Sequence, residues 1–165
     1  EPNAFALLRA PGHEAAFAEV AALHAHVRRQ AEREDWRALA ERFADFFSGE
    51  GAWAAMPETR RAALAEALRL NPEEWEAVMT RDVTVDRWRV LASRPILLSW
   101  ARDTRRPLRS VVEIMARAYP DWTALPLDRG GHMAPLIRPR PFNAAVTQFL
   151  LGESDQPMGA ERQKT

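Results

Sequence analysis

The sequence contains no cysteine, so disulfide bonds, thiol catalysis and thiolate-bound metals are excluded. It also lacks an excess of either charge, because 23 lysines and arginines balance 23 aspartates and glutamates. Without a net field, the composition indicates neither a nucleic-acid partner nor binding to an anionic membrane surface. No apolar run approaches the roughly 20 residues of a membrane span. We therefore expect a protein without a membrane span, and the lack of cysteine favours a cytoplasmic location.

The first part of the sequence has the apolar periodicity of successive amphipathic helices. With 165 residues, of which 47% are apolar and 28% charged, the chain has the composition of a globular domain with a core. Start and stop signals predict helices over 13–33, over 35–47 with Asp35 as the cap, over 57–70, from Asn71 onward, and over 85–91. Residues 1–91 are therefore predicted to be a helical region.

The pattern changes after residue 91. A compact apolar run at 95–101 predicts a buried strand, 107–119 an amphipathic helix, 121–127 a weaker strand, and 142–151 a last helix. Strands that alternate with helices in this way make parallel sheets covered by helices. Two parallel strands alone lack partners along their edges, so we expect further strands on another chain or on sequence beyond the one given. Residues 153–165 are predicted to be a flexible tail.

Two side chains that can take part in proton transfer follow the predicted strands. Asp103 lies just beyond the first strand, and His132 lies just beyond the second, behind Gly130 and Gly131. Because binding sites form at the carboxyl ends of parallel strands, we expect both side chains at one edge of the sheet. An aspartate that hydrogen bonds one imidazole nitrogen leaves the other nitrogen as a base. The alternative for Asp103 is a solvated position within the charged run 102–106.

These segments resemble the C-terminal part of the α/β-hydrolase family. Pro95-Ile96-Leu97-Leu98-Ser99-Trp100-Ala101, with Asp103, resembles the seventh strand of that family and its acid-bearing loop. Gly131-His132-Met133-Ala134-Pro135 resembles the catalytic-histidine loop. Glu1-Pro2-Asn3-Ala4-Phe5 resembles the segment that leaves the sixth strand, and residues 43–56 resemble the lid of some bacterial members.

The resemblance implies an α/β fold: the C-terminal part of an α/β-hydrolase, in which 1–91 form the helical lid and 92–152 the βαβα part of the core. His132 would be the general base and Asp103 its orienting acid. Some members of the family draw the acid from the end of the sixth strand, and Glu1 occupies such a position as a second candidate. Neither the resemblance nor the sequence implies a cofactor or a bound metal.

The resemblance also implies that a nucleophile is missing. The G-x-S-x-G elbow of the family does not occur in the sequence, and the serines near glycines or strands, which are Ser48, Ser99 and Ser110, lack its spacing. The implied protein is one half of a serine-type hydrolase of esters, thioesters, lactones or amides. Its partner would be the N-terminal half of the same hydrolase, which carries the nucleophile and the oxyanion hole. The implied substrate is a small apolar acyl compound, and the chain alone is expected to be inactive.

Other residues and functions remain open from the sequence. His24 and His26 are two residues apart on a helix and face different sides, which argues against a shared metal. Trp53 and Phe46 are candidates for lining an apolar acyl pocket under the lid. Three alternatives stand beside the serine hydrolase: a non-catalytic interaction protein, a haloalkane- or epoxide-type hydrolase with an aspartate nucleophile in the missing half, and an autonomous helical bundle with a short βα appendage.

Overall fold

The first half of the chain folds as consecutive helices. A computed structural model describes residues 1–80, 84–88, 90 and 94–152. A 3₁₀ helix at Phe5–Arg9 is followed by α1 (Glu14–Glu32), α2 (Trp36–Ser48), α3 (Ala52–Ala55), α4 (Glu58–Ala67) with a 3₁₀ turn at Leu68–Leu70, α5 (Asn71–Thr80) and α6 (Val85–Trp88). The predicted helices over 13–33, 35–47, 57–70 and from Asn71 are confirmed; the end of the one predicted over 85–91 lies partly outside the described residues.

The second half contains the two strands. β1 (Leu97–Ala101), α7 (Arg106–Ala118) and β2 (Thr123–Leu127) are followed by a 3₁₀ helix at Gly131–Met133, then α8 (Ala134–Ile137) and α9 (Pro139–Leu150). The predicted strand–helix–strand order is confirmed. The last helix begins earlier than the predicted residue 142, because its prolines lie in the first turn, where a missing N–H costs no intrahelical hydrogen bond.

The two strands are parallel and in direct register. Leu97 pairs with Thr123 at one end and Ala101 with Leu127 at the other, so both strands finish at the same level. Pro126 is tolerated in β2 because, within the described residues, the strand has a neighbour on one side only. This alignment places the residues after Ala101 beside those after Leu127.

Local signals in the sequence explain where the helices begin. The side chain of Asp35 accepts a hydrogen bond of 3.0 Å from the N–H of Ala38, which is the N-cap arrangement that the sequence predicts for α2. In α7, Pro107 occupies the first turn, and apolar residues recur at helical spacing on its buried face. α7 thus presents one apolar face to the interior and charged residues to solvent.

One continuous core joins the helical region to the strands. Val20 and Leu23 of α1 are fully buried and belong to the same cluster as Leu98 of β1 and Val111 of α7. The 3₁₀ helix at Phe5–Arg9 packs between α1, α5 and α7. The helices therefore bury their apolar faces chiefly against one another. Burial of this kind stabilises by roughly 25 cal/mol for each Å² removed from water.

The predicted fold class is wrong. Among the described residues 69% are helical and 7% lie in strands, and those strands form only a two-stranded parallel sheet. The chain is therefore a mostly helical protein and is not the C-terminal half of an α/β-hydrolase. The prediction failed because it gave the sheet the organising role, whereas α7 packs on α1 and on the first 3₁₀ helix as well as on β1. The tail predicted over 153–165 lies outside the described residues. Within the described part of the chain, no helix is long and apolar enough to cross a membrane.

Candidate functional site

The candidate site lies where the two strands end. The N–H of Arg102 donates to the carbonyl of Leu127 over 2.8 Å, which extends the pairing one step past the strands. A tight turn follows, in which the N–H of Thr104 donates to the carbonyl of Ala101. On the other side, the chain leaves β2 and turns at Gly130 into the short 3₁₀ helix that carries His132. The parallel register thus brings two loops together at one edge.

The carboxylate of Glu1 lies at the centre of the site. Oε1 accepts a hydrogen bond of 2.9 Å from the N–H of Ala101, and Oε2 accepts one of 2.9 Å from the hydroxyl of Thr104. Nδ1 of His132 lies 3.0 Å from the same Oε2. The backbone nitrogen of Glu1 donates to the carbonyl of Ser99 over 3.1 Å, which fixes the residue against β1. Only 3% of the Glu1 side chain is exposed.

The surroundings of Glu1 keep its carboxyl group ionised. Burial by itself raises the pKa of this group. The hydrogen bonds from His132, from the N–H of Ala101 and from the hydroxyl of Thr104 outweigh burial, so the pKa lies below its ordinary value of 4.5. A buried carboxylate with several donors is a stable negative charge, and it favours a protonated Nδ1 on the adjacent imidazole.

Two contacts hold the imidazole of His132 in place, one with Glu1 and one with Phe47. Its Nδ1 is engaged by Glu1, so the neutral ring carries its proton there and leaves Nε2 as an acceptor. The Phe47 ring lies with its centroid 5.0 Å from that of the imidazole and limits the movement of the ring. The His132 side chain is 24% exposed, so a reactant can approach it. This is the arrangement that a general base requires.

Asp103 does not bind the imidazole, in contrast to the sequence-based expectation. Its Oδ1 accepts a hydrogen bond of 2.8 Å from the N–H of Gly131, and its Oδ2 accepts one of 3.0 Å from the N–H of Gly130. Burial by itself raises the pKa of Asp103. The backbone hydrogen bonds together outweigh burial, so the pKa lies below its ordinary value of 3.8. The structure therefore pairs His132 with Glu1, the second candidate, and uses Asp103 to hold the loop that carries the histidine.

Glycine is required at position 130 for two reasons. Its φ is +120°, a conformation that residues with a side chain rarely adopt. A Cβ at this position would lie 2.8 Å from the Cβ of Ala134 and 2.9 Å from its Cα. The close approach lets the chain turn directly from β2 into α8. His132 lies within that turn, so the turn determines where the imidazole points.

The remaining sequence candidates lie apart from this site. Nε2 of His24 is 3.2 Å from Oε2 of Glu76, and Nε2 of His26 is 3.2 Å from the carbonyl of Ala38. No group of three or more histidines and carboxylates that could hold a metal occurs among the residues that the structure describes. Trp53 is buried, and the guanidinium groups of Arg37 and Arg61 lie 5.4 and 5.5 Å from its ring centroid.

A partly open cavity lies close to His132. Phe43 and Phe47 of α2 line this cavity, and Phe47 also contacts the imidazole. Trp53 and Phe46, the predicted pocket residues, are not among its lining residues. Phe46 is buried beneath the guanidinium of Arg105, whose Cζ is 4.7 Å from the ring centroid. The sequence thus indicated the correct helix for Phe46 but the wrong residue of that helix: Phe43 and Phe47, which are four residues apart, line the cavity, whereas Phe46 packs against Arg105.

Comparisons of the chain with protein-family models, with curated proteins and with solved structures found no match. The chemical interpretation therefore rests on the geometry of the site. That geometry is a buried carboxylate, an oriented and accessible imidazole, and a loop held by a second carboxylate. Within the described ranges, no hydroxyl donates a hydrogen bond to Nε2 of His132, since the hydroxyl of Thr104 is directed to Glu1.

Proposed function

We propose that Glu1 and His132 form the acid–base pair of a hydrolase that acts on an ester, thioester, lactone or amide. The observation that carries the proposal is the hydrogen bond of 3.0 Å between Oε2 of a 3%-exposed carboxylate and Nδ1 of a 24%-exposed imidazole. A carboxylate in this position fixes the tautomer and stabilises the imidazolium that forms during proton transfer. The roles of base and orienting acid thus fall to His132 and Glu1.

In the proposed reaction, Nε2 of His132 takes the proton of a nucleophilic hydroxyl as the oxygen attacks the acyl carbonyl. The imidazolium then gives this proton to the leaving group as the acyl bond breaks. Water then enters and attacks the acyl carbonyl while Nε2 takes one of its protons. The imidazolium returns this proton to the oxygen of the nucleophile as the bond to the acyl group breaks, which releases the acid and regenerates the hydroxyl and the neutral imidazole. Glu1 stays ionised throughout, which is consistent with the lowered pKa of its carboxyl group.

The nucleophile and the oxyanion donors are proposed to lie on a partner polypeptide. Two observations support a partner. Within the described residues, β1 and β2 pair only with each other, so each strand has one unpaired edge. An unpaired strand edge is a site where another polypeptide can bind. The C-terminal helices and the residue that follows them also expose large apolar side chains, which are Leu136, Ile137, Leu150 and Leu151. The chain alone is accordingly expected not to turn over esters.

The tautomer of His132 is a direct test that needs no partner. Nitrogen chemical shifts of the imidazole in the full chain, followed over a pH series, are expected to show that the neutral ring carries its proton on Nδ1. Glu1→Gln is expected to mix the two tautomers, because an amide at this position can donate as well as accept. A neutral ring that carries its proton on Nε2 in the unsubstituted chain would remove the basis of the proposal.

Labelling by a fluorophosphonate tests the reaction class. The probe is applied to native material isolated with this chain, and the label is expected on a serine of a second polypeptide. His132→Ala is expected to slow labelling at least about 100-fold, which is the usual contribution of a positioned general base. His13→Ala is the matched control and is expected to label at the original rate. A rate unchanged by His132→Ala would contradict the proposal.

A second candidate is a non-catalytic interaction protein, which the exposed apolar residues of the C-terminal helices favour. Leu150 is 75% exposed and Leu136 72%. The two functions differ in their sensitivity to His132→Ala, because binding of a partner through α8 and α9 would survive the loss of the imidazole and hydrolysis would not. Hydrolysis without fluorophosphonate labelling would instead favour the aspartate-nucleophile class.

A further inference from the structure

An aromatic cavity lies between the first 3₁₀ helix, α2 and α5 and has a volume of about 150 Å³. Phe5 and Trp75 line it, and their rings are stacked with centroids 5.7 Å apart and planes 11° from parallel. Phe43 and Phe47 also line it; they lie four residues apart, on one face of α2, with ring centroids 4.6 Å apart. Val78 of α5 completes the apolar lining. Most of the wall is therefore aromatic.

Packing behind the rings keeps this cavity open. Phe5 is 1% exposed and Trp75 4%, and both belong to the continuous core, so neighbouring side chains hold them in place. A planar ring cannot extend into a void as a flexible methionine side chain does. Protein interiors contain few voids larger than a water molecule. A space of this volume is therefore a defined feature of the fold.

The lining of the aromatic cavity favours an uncharged apolar occupant. A buried water needs two to four polar partners, and the four rings and the side chain of Val78 offer none. An apolar group that displaces such water gains free energy, whereas a charged group would lose its hydration. An apolar cavity of about 150 Å³ accommodates a molecule of the size of benzene.

The aromatic cavity lies next to the site at the strand ends. The ring of Phe47 lines the cavity, and its centroid is 5.0 Å from that of the His132 imidazole. α2 also packs on the 3₁₀ helix that carries His132. The cavity and the proposed base thus contact the same aromatic ring.

We propose that the aromatic cavity binds an uncharged apolar group close to a benzene ring in size. The rings provide dispersion contacts and exclude water. The identity of this group as the side chain of the acyl substrate rests on the proposed function. Val78 and Phe43 are half-buried in the wall, so the size of these two side chains determines which groups fit.

Binding of toluene to the full chain tests the proposal without a partner. Titration followed by NMR is expected to give a dissociation constant of about 1 mM or tighter. Nuclear Overhauser effects are expected between toluene and the methyl groups of Val78, and none with those of Val146 on α9. Absence of binding, or toluene located elsewhere on the chain, would overturn the proposal.

Two variants that fill the aromatic cavity sharpen this test. Val78→Phe and Phe43→Trp each place a larger side chain in its wall, and both are expected to weaken toluene binding at least tenfold. The second variant covers the case in which the first does not fold, and circular dichroism reports folding. Glu73→Phe is the matched control, because it adds the same ring to α5 at an exposed residue outside the lining. Equal toluene affinity in Val78→Phe and Glu73→Phe, with both chains folded, would contradict the proposal.

Acyl preference tests the connection to the proposed hydrolysis. Native material isolated with this chain is assayed with the nitrophenyl esters of phenylacetic and acetic acid, whose acyl groups differ by one benzene ring. Val78→Phe is expected to lower the ratio of kcat/KM for the two esters at least tenfold, and Glu73→Phe to preserve it. An unchanged ratio in Val78→Phe would overturn the assignment to the acyl side chain.

His132→Ala separates the two proposals. This variant is expected to abolish hydrolysis of both esters and to leave the affinity of the chain for toluene unaltered. Hydrolysis that survives His132→Ala would overturn the proposed function alone, whereas a chain that hydrolyses through His132 but does not bind toluene would overturn the cavity proposal alone.

Discussion

Two carboxylates flank the histidine, and they contact different parts of it. On the strand side, Glu1 is buried and hydrogen bonds the imidazole itself. On the loop side, Asp103 is exposed and binds the N–H groups of Gly130 and Gly131, which precede the histidine in the chain. The first carboxylate acts on the tautomer and orientation of the ring. The second acts on the backbone that carries the ring.

The difference shows that two neighbouring carboxylates can have separate roles in one site. A carboxylate that touches the imidazole determines its tautomer and its orientation. A carboxylate that touches only backbone amides changes how well the imidazole is placed. Loss of the first is therefore expected to change the chemistry, and loss of the second to change the geometry.

The largest expected effect is the difference between Glu1→Gln and Asp103→Asn in the rate of fluorophosphonate labelling. The rate is measured on native material isolated with this chain. Glu1→Gln is expected to slow labelling by about 10⁴-fold, the scale seen when an orienting carboxylate of a catalytic histidine becomes an amide. Asp103→Asn is expected to slow it by about tenfold or less, since the loop loses hydrogen bonds worth about 1 kcal/mol each. Labelling time courses measure both rates. Equal losses would show that the two carboxylates do not differ in role.

A smaller effect is expected for Gly130→Ala. The substitution combines an unfavourable φ of +120° with a contact of 2.8 Å to Ala134, and strain of each kind costs about 1–3 kcal/mol. Gly12→Ala is the matched control, because Gly12 also has a positive φ, of +87°, but no atom lies within 4 Å of its added Cβ. Urea unfolding is expected to show Gly130→Ala as the more destabilised by about 2 kcal/mol. Equal destabilisation would mean that the loop relaxes without cost.

A still smaller effect is expected for Thr104→Val. Thr104 is a buried residue that is 5% exposed, and the change keeps the shape of its side chain while removing the hydroxyl that donates to Glu1. The free energy of unfolding is expected to fall by about 1 kcal/mol, and the pKa of Glu1 to rise. Thr147→Val, in exposed α9, is expected to change neither. A pKa of Glu1 unaltered by Thr104→Val in a carbon-detected NMR titration would contradict the assigned hydrogen bond.

The weakest expected effect is the acid dependence of stability. The pKa of Glu1 is below 4.5 in the folded chain, so its contribution is complete at higher pH and is lost as the pH falls through the folded value. The difference in unfolding free energy between the unsubstituted chain and Glu1→Gln is therefore expected to shrink between about pH 5 and pH 3. Urea titrations at several pH values measure it, with the exposed Glu50→Gln as control. A difference that grows on acidification would be inconsistent with an ionised Glu1.

Much of the local structure could be predicted because it depends on neighbours in sequence. Asp35 caps α2 through an N–H only three residues away, and the strand–helix–strand order follows from apolar runs and helix start signals. The fold class could not be predicted in this way. It depends on how α7 divides its apolar face among α1, the first 3₁₀ helix and β1, and these contacts join residues distant in sequence.

The part of the site that depends on neighbours in sequence could also be predicted. His132 follows the second strand as the sequence indicates, and the two glycines before it have the positive φ values that glycine tolerates. Its partner Glu1 was only the second candidate, named from the resemblance of residues 1–5, because the contact between residues 1 and 132 depends on the tertiary fold. Asp103 has the position of an orienting acid after β1, but the turn at residues 102–104 directs it to the loop backbone.

The hydrogen bond between Glu1 and His132 joins residues 131 positions apart, and this separation has a consequence for folding. Closing a loop of that length costs more entropy than closing the shorter loops within the helical region and between β1 and β2, so we expect it to follow them. The acid–base pair is thus among the last features to form as the chain folds. A partly folded chain holds an imidazole without its carboxylate, so the proposed chemistry can begin only when folding is complete.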